Sequence, residues 1–179
     1  IAATVGVILQ SLKNRDNKDH EAIYFEEVAK APGLQPLIAP ATRCDIFRVQ
    51  KEYSYRAKQA AGDGWCLIGD AFGFLDPLYS SGLLLAMTSA SMASDAIDDA
   101  LKSGDTSEAA LRAWEKPYVQ GMDRIRRLVC EFYDGLSFGR FVKKHPHLKG
   151  LVTDVLIGDV FKDEVDQLWP LMDDLRKEQ

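Results

Sequence analysis

Apolar positions along the chain follow two rhythms. Up to about residue 80 they come in short runs cut by polar, glycine or proline turns. From Ser81 onward they recur at helical spacing. Residues 3–9, rich in β-branched side chains, predict a strand. Asp16-Asn17-Lys18-Asp19 reads as a turn into a helix over about 20–30, with Ile23, Phe25, Val28 and Ala29 as its buried positions. Pro32-Gly33 ends that helix, and residues 34–41 read as a short irregular or helical piece. Strands are expected over 44–50, over 53–58 with Tyr53 and Tyr55 on one face, and over 65–68, the last buried and ending in Gly69-Asp70. Ser80-Ser81-Gly82 opens an apolar helix over 83–101, stopped by Lys102-Ser103-Gly104. Thr106 is the expected N-cap of a second long helix reaching Tyr133, kinked or divided at Pro117. Shorter helices are expected over 136–144, 148–156 and 163–175. Strands first and helices afterward make an α+β architecture. A chain that opens on a strand-like run without Met reads as the C-terminal part of something longer.

Composition narrows the classes of function. The chain has 179 residues, 46% of them hydrophobic, and a net charge of −5. There is no broad excess of Lys and Arg to neutralise phosphates, so a nucleic-acid partner is not expected. No apolar run reaches membrane-spanning length, so no transmembrane segment is expected. Cys44, Cys66 and Cys130 are odd in number and far apart, which favours free thiols in a reducing cytoplasm.

Candidate chemistry concentrates between Trp65 and Leu84. A strand that delivers the Asp70 carboxylate to a sheet edge beside a helix N-terminus suits a polyhydroxylated, partly anionic cofactor. The carboxylate accepts from hydroxyls while the free amides of the first helical turn face negative charge. The bland alternative is that Asp70 only caps the turn that follows it. Gly82 weakens the start of its helix and is most useful where a ligand approaches the backbone. Leu83, Leu84, Leu85, Ala86 and Met87 make that helix apolar all round, so it is expected to be buried. Val119, Met122, Ile125, Leu128 and Val129 read as core, and Glu115, Asp123, Arg124, Arg126 and Arg127 as a solvated helix face. His145-Pro146-His147 offers two imidazoles without a second ligand pair, so no metal site is expected.

From Gly69-Asp70 to Gly82 the sequence resembles the flavin-contacting segment of group A FAD-dependent monooxygenases and flavin-dependent halogenases. Phe74, Pro77, Ser80 and Gly82 reproduce the spacing F-x-x-P-x-x-S-x-G, and Gly62-Asp63-Gly64-Trp65 and Asp76-Pro77 bring the likeness closer to the halogenases. Tyr53-Ser54-Tyr55-Arg56-Ala57 resembles the strand that returns from the substrate domain. The resemblance implies FAD as cofactor, with Gly69-Asp70 on the ribityl chain, Pro77 along the ring, and amides around Gly82, Leu83 and Leu84 facing its pyrimidine edge. It implies a halide at the Ser81 and Gly82 amides. It also implies part of a substrate-domain sheet with its connecting helix over 1–58, a remnant of the FAD/NAD(P)-binding α/β domain over 59–104, and a helical C-terminal region over 105–179.

The implied activity is that of an oxidoreductase using reduced flavin and oxygen on an aromatic or other electron-rich small molecule, free or carrier-tethered. A flavin reductase or NAD(P)H would be the reductant. A hydroxylase, a geranylgeranyl reductase-like enzyme and an inactive fragment are the alternatives. Tyr79 stands where tryptophan halogenases carry glutamate, and Leu84 where related proteins often have His or Asn. The catalytic lysine and the dinucleotide-binding glycine motif of halogenases belong to an upstream region, so no catalytic residue is assigned in this chain.

Overall fold

The computed structural model describes residues 19–49 and 54–178. The expected strand over 3–9 and the turn at Asp16–Lys18 lie outside the described residues, as does Tyr53. The chain divides into two compact units, Ile1–Lys51 and Glu52–Gln179.

In the first unit, helix α1 (His20–Ala29) is capped by Asp19, whose carboxylate accepts from the amides of Glu21 and Ala22. Ile23 and Val28 are buried as expected, whereas Phe25 is 54% exposed and Ala29 is exposed. Helix α2 (Gln35–Ile38) is a single turn with Pro36 near its start. The strand expected over 44–50 is not formed by its described residues. There Asp45 accepts from the amide of Ile46 and the guanidinium of Arg48, a local arrangement that competes with extended pairing.

The second unit begins with two small antiparallel sheets. Strand β1 (Tyr55–Arg56) pairs with β4 (Gly73–Phe74), and β2 (Ala61–Gly62) pairs with β3 (Trp65–Cys66). The strand expected over 65–68 is therefore a two-residue hairpin arm and not a buried strand, with Trp65 44% and Ile68 40% exposed. Gly64 makes this tight hairpin possible by taking a positive φ of 79°.

Helix α3 (Gly82–Ser103) buries Leu85, Ser89, Ala93, Ala96 and Ala100 on one face. The expectation of burial all round is corrected, because Leu83, Met87, Ile97 and Leu101 share a second face that is exposed. The helical segment expected as one piece from Thr106 is two. Ser107, not Thr106, caps α4 (Glu108–Leu111), and α5 (Glu115–Tyr133) follows a break at 112–114. Pro117 sits in the first turn of α5, where its missing N–H is harmless, so it neither kinks nor divides the helix. Helices α6 (Phe138–Lys144), α7 (Lys149–Leu156) and α8 (Leu168–Lys177) complete the unit. A 3₁₀ turn at Asp163–Gln167 leads into α8.

The main core of this unit joins the loop before α3 to α5 and the helices after it. Phe72, Trp114 and Tyr118 pack with centroids 5.3–5.8 Å apart, and Phe161 stacks on Tyr118 at 6.2 Å. Met122, Ile125, Leu128 and Val129 are buried and Val119 packs against the same core. Arg124 departs from the expected solvated face, being 8% exposed. It donates to both carboxylate oxygens of Asp166 at 2.6 and 2.8 Å, to Asp163 at 2.8 Å and to the Val160 carbonyl at 2.9 Å. That bidentate pairing fastens the 160–166 segment to α5 and holds the guanidinium well above its ordinary pKa.

Candidate functional site

Gly69, with φ +53°, starts a 3₁₀ turn (Gly69–Ala71) in the left-handed region where a side chain is disfavoured. Its amide donates to Ser89 Oγ at 2.9 Å, and a Cβ there would meet Ala86 Cβ at 3.2 Å. The turn is thereby pinned to α3. Tyr55 donates its hydroxyl to the Asp70 carbonyl, tying the same turn to β1. What remains free is the Asp70 side chain. It is exposed, and among the described residues it makes no hydrogen bond or ion pair. Its charge is felt by Tyr118, whose phenol is pushed up mainly by burial and further by Asp70, against the pull of Ser89.

A second 3₁₀ turn (Pro77–Tyr79) follows, with Pro77 exposed at its first position. Asp76 caps it through the Leu78 amide at 3.0 Å and also accepts from the Tyr133 hydroxyl at 3.1 Å, so the end of α5 steadies the loop. Ser80 then adopts φ +53°, the one non-glycine positive φ among the described residues, while Ser81 returns to the right-handed region. Ser81 is buried yet supplies no side-chain cap, so the first amides of α3 keep no side-chain partner. A Cβ at Gly82 would find nothing within 4 Å. Leu83 is 76% exposed; Leu84 is 37% exposed and abuts the left-handed Gly158, where a Cβ would run into Leu84 Cδ2.

The structure thus brings Gly69, Asp70, Ser81, Gly82, Leu83 and Leu84 onto the start of one helix and the turn packed against it. Pro77 reaches them only through the intervening loop.

The segment opens on a pocket of about 90 Å³ lined by Tyr79, Ser81, Leu84, Leu128, Ile157 and Gly158 among others. Tyr79 packs edge-on against Phe132 at 6.4 Å. Its hydroxyl is buried without a hydrogen-bond partner, an arrangement that costs about 1–3 kcal/mol. Burial and the neighbouring Tyr133 push its pKa up. Neither the pocket nor the roles of Tyr133 and Ser89 are foreseen by sequence reasoning. Ser89 alone leaves a trace, as a polar residue in the buried stripe of α3.

His145 and His147 face each other at 6.1 Å, and no group of three metal-ligating side chains forms among the described residues. No described helix is long and apolar enough to cross a membrane. Cys66 is partly exposed, and all three cysteines are free.

The tryptophan halogenase family model matches residues 34–137. The chain is 31% identical over 161 residues to the 1H-pyrrole-2-carbonyl-[peptidyl-carrier protein] chlorinase of Pseudomonas fluorescens, covering 88% of this chain and 35% of that one. It is 31% identical to the tryptophan 2-halogenase of Chondromyces crocatus, covering 73% and 26%. It is 36% identical to the flavin-dependent halogenase armH5 of Armillaria mellea, covering 62% and 22%. The chain therefore spans about a third or less of these relatives. The solved flavin-dependent brominase Bmp2 shares its fold at a TM-score of 0.66 and 24% identity, over 96% of this chain and 44% of that one.

Proposed function

The chain belongs to the tryptophan halogenase family, and from that premise we propose that it supplies the flavin- and halide-facing part of a halogenase acting on an electron-rich ring. FAD is the cofactor the family implies. Two observations support its fit: the open space at Gly82, which a Cβ would fill, and the unpartnered Asp70 carboxylate beside the uncapped helix. When bound and reduced, FAD would supply two electrons to oxygen, and the oxygen so activated would oxidise the halide for transfer to substrate.

Around it the chain's own groups divide the work. Gly69 turns the backbone so that Asp70 accepts from ribityl hydroxyls. Pro77 lines the ring. The amides of Gly82, Leu83 and Leu84 face its pyrimidine edge, where the positive end of the 22-residue helix α3 favours negative charge. The Ser81 and Gly82 amides hold the halide. The left- then right-handed backbone at Ser80-Ser81 is of the kind that makes anion-binding concavities. On this reading residues 59–104 are the last part of an FAD/NAD(P)-binding domain, residues 1–58 part of a substrate-domain sheet with its connecting helix, and 105–179 a helical C-terminal region. The full protein takes its electrons from a flavin reductase or NAD(P)H and works in the cytoplasm.

The printed names of two relatives, the Pseudomonas chlorinase and a Pseudoalteromonas brominase, specify a pyrrole-carbonyl group on a peptidyl-carrier protein. We extend that class, a single-ring acyl group on a carrier, to this protein. The uncapped Ser80–Gly82 helix entry carries the reading. The test is incubation of the full-length protein with FAD, a flavin reductase, NADH, chloride or bromide, and a carrier-bound pyrrole. A halide-dependent mass gain on the ring supports it; an added oxygen atom without halogen would make the protein a hydroxylase instead.

A further inference from the structure

Ser89 is the one polar residue on the buried face of α3, set among Leu85, Ala93, Ala96 and Ala100, and it is 0% exposed. Its hydroxyl donates to the Ala86 carbonyl at 2.9 Å, a bond with which a helical serine satisfies itself. That bond leaves a lone pair, which accepts from the Gly69 amide at 2.9 Å, 20 residues earlier in the chain. Across the turn, Tyr55 of β1 donates its hydroxyl to the Asp70 carbonyl. The Gly69 carbonyl accepts from the Phe72 amide at 3.0 Å, and the Phe72 carbonyl from the Ala57 amide at 2.7 Å. The backbone is thus held on both sides of Asp70 while the Asp70 side chain stays exposed. We propose that Ser89 and Tyr55 are positioning residues for the flavin, which touch only the backbone of the turn and together aim the Asp70 carboxylate at the ribityl hydroxyls. The proposal rests on the halogenase reading, which puts those hydroxyls at Asp70.

Preorganisation is the physical reason. A carboxylate on a loose turn spends binding energy on ordering that turn, whereas one on a fixed turn spends none. The two anchors come from different elements, α3 and β1, so the turn is clamped from both sides. Each grips a main-chain group and leaves the charge of Asp70 available. Burial shuts water out of the Gly69–Ser89 contact, so no solvent competes for that bond. Alanine would suit the interior of α3 better than serine and match the small residues beside it. The hydroxyl at 89 therefore serves the Gly69 turn more than it serves the helix. Gly69 makes the approach possible, because any larger residue would press its Cβ against Ala86.

The experiment is a titration of the full-length protein with FAD, followed by flavin fluorescence. It compares the parent, Ser89→Ala, Tyr55→Phe, Asp70→Ala and each hydroxyl variant combined with Asp70→Ala. Each hydroxyl variant alone is expected to weaken FAD about fivefold or more. In the Asp70→Ala background each is expected to change affinity by less than about twofold, because an anchor that acts through Asp70 has nothing left to aim. In the FAD-free protein, amide hydrogen exchange over 69–72 is expected to quicken about tenfold in Ser89→Ala. Equal weakening with and without Asp70 overturns the proposal, since the hydroxyls would then only support the fold. Parent-like FAD affinity in either single variant overturns that residue's part, and unchanged exchange in Ser89→Ala overturns the anchor at Gly69. If Ser89→Ala loses helical circular dichroism, Tyr55→Phe at a 52% exposed position decides through the same cycle. A parent that binds no FAD is the failure of the halogenase reading. One that binds FAD, weakens in Asp70→Ala and ignores both hydroxyl variants is the failure of this inference alone.

Discussion

The helix entry at residues 69–82 and the helical end at 124–176 handle polar groups in opposite ways. At the helical end the main cations are answered, although Glu131 Oε2 is buried without a hydrogen-bond partner and α7 and α8 also start without side-chain caps. Arg124 has four hydrogen bonds, Trp169 Nε1 donates to Asp166 at 2.8 Å, and Arg127 lies 5.0 Å from the Trp169 ring centroid while pairing with Asp173 at 2.8 Å. At the entry the Asp70 carboxylate has no partner among the described residues, α3 starts without a side-chain cap, and the Tyr79 hydroxyl is buried alone. A folded chain normally satisfies a buried group such as the Tyr79 hydroxyl. The guanidinium groups that fasten the helices are paired, whereas the Asp70 carboxylate at the entry is left open, as the proposed flavin site requires.

The largest effect expected of breaking that contrast is on stability. Arg124→Met removes the guanidinium while keeping much of its bulk, and should cost about 1–3 kcal/mol in urea unfolding, since the buried Val160 carbonyl and two carboxylates lose their shared donor. Flavin affinity of whatever remains folded should change far less. Asp70→Ala should do the reverse. Urea midpoints stay within about 0.5 kcal/mol of the parent, as for an exposed unpaired group, while FAD binding to the full-length protein drops by about tenfold or more. An Asp70→Ala protein with normal FAD affinity would remove that residue from the site.

Gly82→Ala sharpens the comparison further. The added methyl meets open space in this structure and suits a helix, so stability should hold or rise by up to about 1 kcal/mol. Halide-dependent turnover should still fall, because the methyl stands where the ligand approaches. The smallest effect is with pH. Asp166 and Asp173 are held below the ordinary carboxylate pKa of 3.8, Asp166 chiefly by its hydrogen bonds with Arg124 and Asp173 chiefly by that with Arg127. Their contribution is complete above that value and is lost as pH falls through the lower folded pKa. Urea midpoints should therefore decline below about pH 4, and more gently in Arg124→Met.

Much of this was legible from residue pattern, and the failures have physical causes. The helices at 20–29, 82–103, 138–144 and 149–156 follow from apolar period and caps, because those signals are local. The segment 65–68 misleads because an apolar run alone cannot say whether a partner strand covers it. Here a tight hairpin does so over only two residues, leaving Trp65 half open. Arg124 was misread because its burial depends on Asp163 and Asp166 some forty residues later, which no helical period encodes. The Gly69–Gly82 segment announced itself through unusual residue choices for its backbone. The pocket did not, because four of its ten lining residues are 155–158, brought there by tertiary packing.

The outer stripe of α3 has a practical consequence at the bench. Leu83, Met87 and Leu101 are 76%, 65% and 68% exposed along one side of a 22-residue rod, with Ile97 between them. So much grease on display makes an expressed sample of these residues prone to clumping. Charged replacements at Ile97 and Leu101, in the half of the helix far from its mouth, should keep it monodisperse in light scattering without touching the chemistry.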